Sequence, residues 1–127
     1  MKALSIQPIY ATAISLGWKW IELRTWAREY RGWVLICASK AINKFERESL
    51  VSGHAVCIAH LTDIRPYDDE NDRELAFLCD DQKFEGYSWE FDKIIPIVPV
   101  PVKGQQKLFQ FWYDHGYIKN LDFLNLE

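Results

Sequence analysis

The stretch Leu16-Gly17-Trp18-Lys19-Trp20-Ile21-Glu22-Leu23-Arg24-Thr25-Trp26 decides the reading of the chain. Gly17 is a natural helix stop, and after it the apolar period changes. Ile21 and Leu23 alternate with Glu22 and Arg24, the two-residue period of a strand with one dry face. Trp20, Glu22, Arg24 and Trp26 are therefore expected on one face, with Ile21 and Leu23 on the other. That polar face carries one carboxylate and one guanidinium between two indoles, with Lys19 just ahead of it. Indoles stack on flat rings, and Arg and Glu hydrogen-bond their edges.

Working outward, Ala3 to Ile6 reads as a short strand. Pro8 opens a helix to about residue 16, with Ala11, Ala13, Ile14 and Leu16 inward and Gly17 closing it. Ala27 to Gly32 is a polar connection to a central apolar strand over 33–38. Residues 41–50 carry Ile42, Phe45 and Leu50 at helical spacing as the buried side. Gly53 turns the chain into a strand over about 54–63. An acidic loop follows over 66–72, then a short helix over 72–79 burying Leu75, Phe77 and Leu78 in part. A strand begins after Gly86. Pro96, Pro99 and Pro101 make its later part an extended or edge segment. KLFQFWYDHGY reads as a helix stopped by Gly116, and the tail as a docked segment. Short strands interleaved with two or three helices give an α+β chain, a small barrel of about five to six strands with helices on its flank.

Four pieces together resemble a known family. Gly17, Lys19, Glu22 and Arg24 form Gly-x-Lys-x-x-Glu-x-Arg, similar to the signature of the ASCH domain. Ala3-Leu4-Ser5-Ile6-Gln7-Pro8 resembles that family's opening strand. Tyr30 to Lys40 resembles its next strand, and Pro101-Val102-Lys103-Gly104-Gln105-Gln106 its late loop. The resemblance runs from about residue 3 to about residue 109 and is weakest over roughly 63–86. It implies a PUA-like β-barrel and RNA-related work.

At 127 residues the chain is one domain, 1–127. No apolar run approaches a membrane span, and no secretory signal opens the chain. Cys37, Cys57 and Cys79 are odd in number and spread, and read as buried thiols of a cytoplasmic protein. The net charge of −3 argues against a grip on long duplex nucleic acid. The acids concentrate between Asp68 and Asp81, whereas Lys2, Lys19, Arg24, Arg28, Arg31 and Lys40 make the first third basic. A basic cleft formed by Lys19, Arg24, Arg28, Lys40 and Lys103 is expected on a side away from that acidic segment.

The ligand candidates are Lys19, Glu22, Arg24, Trp26, Arg28, Tyr30, Ser39, Lys40, Trp89, Lys103 and Gln105. Arg24 offers a fork for phosphate or a base edge, and Lys19 a point charge. Glu22 orients Lys19 or accepts from an exocyclic amine. Trp26 and Tyr30 divide between base stacking and burial, and Trp33 belongs in the core. Ser39 either caps the next helix or, with Lys40, touches phosphate. Tyr87, Trp89 and Glu90 divide between core and cleft wall. Lys103 and Gln105 come from the loop that the resemblance sets beside the cleft.

His54, Cys57 and His60 do not make a metal site, because on a strand Cys57 points away from the two histidines. No metal or cofactor is expected. The partners expected are single-stranded RNA or a nucleoside or nucleotide, bound by a monomer off the membrane. The alternative is a hydrolase in which Lys19 and Glu22 are catalytic. Relatives of this fold include amidohydrolases of N4-acylated cytidines with Lys and Thr in the strand motif. Here Glu22 stands at the Thr position, which removes the hydroxyl nucleophile. A weak ribonuclease is the related option, with Lys19 stabilising a developing phosphorane.

Overall fold

The computed structural model describes residues 2–102 and, as backbone, 108–110. The elements run β1 (Lys2–Ile6), α1 (Pro8–Ser15), β2 (Ile21–Arg24), β3 (Gly32–Ala38), α2 (Lys44–Ser49), β4 (His54–Pro66), α3 (Asp69–Asp72), β5 (Tyr87–Pro101) and β6 (Leu108–Gln110). The six strands form one sheet in the order β2-β5-β4-β3-β1-β6. Its end strands β2 and β6 are not paired with each other, so among the described residues the small barrel expected takes the form of a curled half-barrel. β1 and β3 pair in parallel, and α1 lies in the connection between them.

β3 is central, as its apolar run requires. Its side chains alternate between two cores. Val34, Ile36 and Ala38 join Leu4, Ile6, Ala11, Ile14, Trp89 and Phe91. Leu35 and Cys37 join Ala3, Ala55, Ile58, Ile97 and Val100 on the other face. Each large side chain fully withdrawn in this way contributes about 1.5–3 kcal/mol.

β5 explains its own prolines. β2 covers only Tyr87 to Glu90 of it. Pro96 and Pro101 pair with Cys57 and His54 of β4, on one side, and lie past the end of β2. The missing N–H groups thus fall where, among the described residues, no strand pairs with the β2 side of β5. At the other end, Gly86 adopts φ +151°, and a Cβ there would lie 2.6 Å from the Arg24 carbonyl oxygen. Only glycine lets β5 start against the end of β2.

Several expectations are corrected. Leu16 is exposed, and so are Ile42 and Phe45 of the α2 region. The residue that α2 buries is Glu46, which is 1% exposed. The segment over 72–79 is not a helix: α3 ends at Asp72, and Leu75 and Phe77 are exposed while Ala76 is buried. Asp72 itself is withdrawn from the surface loop expected there. Leu108–Gln110 forms a strand antiparallel to β1 instead of part of a helix. The remainder of that expected helix, and the tail, lie outside the described residues. Cys37 and Cys57 are buried but Cys79 is exposed. Burial pushes the Cys37 thiol up to about 12 and raises that of Cys57 as well.

Candidate functional site

The site begins at the end of α1. The N–H of Gly17 donates to Ile14 O and that of Trp18 to Ala13 O, at 3.0 and 2.9 Å. This is the double bond pattern of a Schellman stop, and Gly17 supplies its left-handed residue at φ +78°. The Lys19 N–H also reaches Ala13 O. The chain therefore leaves the helix in a set direction. Trp20 and Ile21 then both donate to Leu75 O, which ties the start of β2 to the segment after α3.

That tie buries Lys19. Its Nζ donates to Ala76 O, lies 3.6 Å from Glu22 Oε1 and sits 5.2 Å from the centre of the Tyr10 ring. The other oxygen of Glu22 faces Arg24 Nη2 at 2.9 Å, and the same Nη2 donates to Ser5 O at 2.7 Å. One carboxylate thus bridges two cations. Lys19 and Glu22 are 2% and 7% exposed, so the simple division into a dry and a wet face fails at the start of β2. Burial pushes the Lys19 ammonium below its ordinary value, Glu22 pulls part of that shift back, and Arg24 adds to the lowering. Among the described residues, the buried side-chain polar atom without a partner is Arg24 Nε. Such an orphan donor costs about 1–3 kcal/mol if nothing meets it.

Lys19, Glu22 and Arg24 line a cleft of about 310 Å³ with Ile6, Gln7, Tyr10, Leu23, Ala76, Leu78 and Phe84. That volume is at the small end for ligand sites. The segment containing the acids contributes Ala76 and Leu78 to this wall, but none of its acids. The acids Asp69, Glu70, Glu74 and Asp80 line a separate cleft of about 580 Å³ with Arg73. Leu78 belongs to both clefts, and Phe84 also lines a third beside Asp80 and Asp81, so the acidic segment borders the candidate cleft instead of lying on another side. Of the five expected cations, only Lys19 and Arg24 line it among the described residues, with Glu22 between them.

The other expected residues are less concentrated. Trp26 is half-buried outside the cleft lining, with the Arg28 guanidinium over its ring at 4.6 Å and Arg24 at 5.9 Å. Arg28 is exposed. Tyr30 packs against the core, donates its hydroxyl to Trp33 O at 2.6 Å, and has its ionisation pushed up by burial. Ser39 does not cap α2; Asn43 does, accepting from the Glu46 N–H. Neither Ser39 nor Lys40 is in the cleft lining. Trp89 is wholly core, its ring against Trp26 and its indole N–H donating to Trp26 O, so it presents no surface to a ligand. Lys103 and Gln105 lie outside the described residues.

Sequence reasoning missed Gln7, Tyr10, Ala76, Leu78 and Phe84 as cleft wall. Gln7 and Tyr10 carried a local signal, since they flank Pro8 at the mouth of α1. Ala76 to Phe84 carried none, because their placement depends on Asp72. Arg65 holds both oxygens of that carboxylate, at 2.6 and 2.8 Å, and Ser88 Oγ and the Asp68 N–H donate to it too.

The sequence matches the family model of the ASCH domain over residues 4–105. No curated protein matches the chain. Among solved structures, the ASCH protein of Zymomonas mobilis superposes with a TM-score of 0.68 at 18% identity, over 97% of this chain and 94% of that one. A serine-to-alanine variant of it gives 0.67 at 18% identity, with 97% and 94% covered. A tyrosine-to-phenylalanine variant gives 0.65 at 18% identity, with 97% and 96% covered. That likeness shows the fold, an α+β PUA-like half-barrel. With four-fifths of its length matched by the family model, the chain belongs to the ASCH domain family.

Proposed function

We propose that this single-domain protein binds single-stranded RNA or a nucleotide, with one base or phosphate in the cleft of Lys19, Glu22 and Arg24. The ASCH domain family is associated with RNA binding. The observation that carries the reading is a cleft lined by two cations, Lys19 and the part-exposed Arg24, that share the one carboxylate of Glu22. A guanidinium at a cleft wall suits a planar acceptor edge or a phosphate. Trp26 under Arg28 offers a flat cationic stack for a neighbouring base. Lys40, Lys103 and Gln105 extend the contact along the strand in this reading, and the compartment is the cytoplasm. Among the described residues no helix is long and apolar enough to cross a membrane.

Titration with nucleoside 5′-monophosphates, a short single-stranded RNA and the same sequence as duplex tests this. Saturable binding of the first two, with the duplex weaker at equal salt, is expected. Tighter binding of the duplex would overturn it.

One observation favours a second reading, a hydrolase of the same fold. A desolvated lysine with a lowered pKa is the form in which lysine acts as acid or base. Glu22 would then orient it or take a proton. Incubation with N4-acetylcytidine and with short RNA, followed by chromatography, decides between binding alone and turnover.

A further inference from the structure

Gln7 occupies the N-cap of α1, yet its side chain caps nothing. Helix N-caps favour short side chains that accept from the first turn. Gln7 spends its amide elsewhere: Nε2 donates to Glu46 Oε2 at 3.1 Å. Glu46 is 1% exposed and reaches this point from α2, thirty-nine residues along. Its Oε1 accepts from the Ile42 N–H at 3.0 Å and its Oε2 from the Ile9 N–H at 3.4 Å. With both oxygens receiving N–H groups, Glu46 faces Gln7 as an acceptor. A carboxylate acceptor admits only the NH2 end of an amide. The carbonyl end of Gln7 is therefore the end left over. Gln7 is half-buried, and among the described residues nothing donates to its Oε1, nor is that atom among the buried ones left without a partner. Gln7 lines the cleft, and Arg24 is bonded to Ser5 O, two residues before it.

We infer that Glu46 is a positioning residue that locks Gln7 as a hydrogen-bond acceptor, so that the cleft selects nucleobases bearing an exocyclic amine over those with a carbonyl at that place. This deepens the proposed nucleotide reading and rests on it. An amine edge donates where a keto edge only accepts, as cytosine differs from uracil and adenine from hypoxanthine. A keto oxygen set against Gln7 Oε1 leaves two acceptors facing each other. Sites built to pair a substrate N–H reject analogues lacking it strongly. Glu46→Gln removes the lock, because an amide at 46 can present either end and Gln7 is then free to turn.

The test is calorimetric titration of the full chain with CMP against UMP and with AMP against IMP. The wild type should prefer the amine partner of each pair by about tenfold or more. Glu46→Gln should bring both ratios towards one, chiefly by strengthening the keto ligands. Gln7→Met, which keeps volume and has no cap to lose, should also erase the ratios, and it decides the matter if Glu46→Gln does not fold. Ratios near one in the wild type, or ratios that survive both substitutions, overturn the inference. If all four nucleotides bind alike and Arg24→Ala abolishes that binding, the Gln7 role fails while the nucleotide reading stands. If none binds, both fail.

Discussion

Arg65 and Asp72 form a two-pronged pair, and Asp72 is the buried member. The pair holds the segment that covers Lys19: the Ala76 N–H donates to Asp72 O, and Ala76 O accepts from Lys19. A contact between β4 and α3 thereby fixes one wall of the ligand cleft.

The Arg65 guanidinium draws the Asp72 carboxyl down to about 2, helped by the Asp68 N–H and Ser88 and opposed by burial. Its folded pKa lies below the unfolded value, so the unfolded chain binds the proton first as pH falls. The stabilisation, about 2 kcal/mol, is full above about pH 5 and disappears as pH drops towards 2. Urea midpoints between pH 6 and 2 should fall more steeply for the wild type than for Asp72→Asn. Parallel curves would contradict the assignment. Arg65→Ala, which leaves a buried carboxylate alone, should cost about 3 kcal/mol at neutral pH.

Arg24→Ala should weaken nucleotide binding by about tenfold to thousandfold. It also removes the bonds to Ser5 O and Glu22, so a modest loss of stability, about 1–2 kcal/mol, should accompany it. Arg24→Lys keeps the charge without the fork and should restore stability better than affinity. Affinity and melting temperature measured on the same samples check this. A large fall in melting with unchanged affinity of the folded fraction would make the residue structural.

Lys19 should show itself on the alkaline side. Its folded pKa is lowered, so between that value and the ordinary 10.5 the unfolded chain carries more protons. Stability in that window rises with pH. Wild type should therefore gain on Lys19→Met as pH rises towards 10.5 in matched denaturation curves. A gap that stays level or moves against the wild type would show that Glu22 outweighs burial.

Arg28 should matter for chains and not for single nucleotides. It stacks on Trp26 outside the cleft lining. The salt slope for a short single strand should correspond to roughly two to four phosphates, and Arg28→Ala should remove about 0.7 from it. Mononucleotide binding should be untouched. Equal loss for both ligands would place Arg28 in the cleft itself.

Lys19, Glu22 and Arg24 were legible in the sequence because their arrangement is local. A glycine stop and a four-residue strand set them side by side along the chain, and Leu75, Ala76 and Ser5 then fix them in the cleft. What escaped was everything set by long-range polar contacts. Residues 41–50 read as a helix with an apolar inner side, yet Glu46 turns inward because the N–H groups of Ile9 and Ile42 need an acceptor. Asp72 looked like one solvated acid among many, and its partner Arg65 sits on a different element. Hydrophobic period carries no trace of such pairings. The burial of Lys19 follows from Ala76 O and was invisible for the same reason. The prolines of β5, by contrast, were read correctly as marking an edge.

Those prolines have a further consequence. An unpaired strand edge invites another chain to add itself, and an open half-barrel exposes such an edge by construction. From Pro96 to Pro101 the rim of β5 lacks donors at three of its positions, beside the exposed Val98. An incoming strand would find acceptors there without the N–H groups to complete a ladder. Among the described residues the sheet therefore stays unclosed on this side with an edge that resists edge-to-edge pairing.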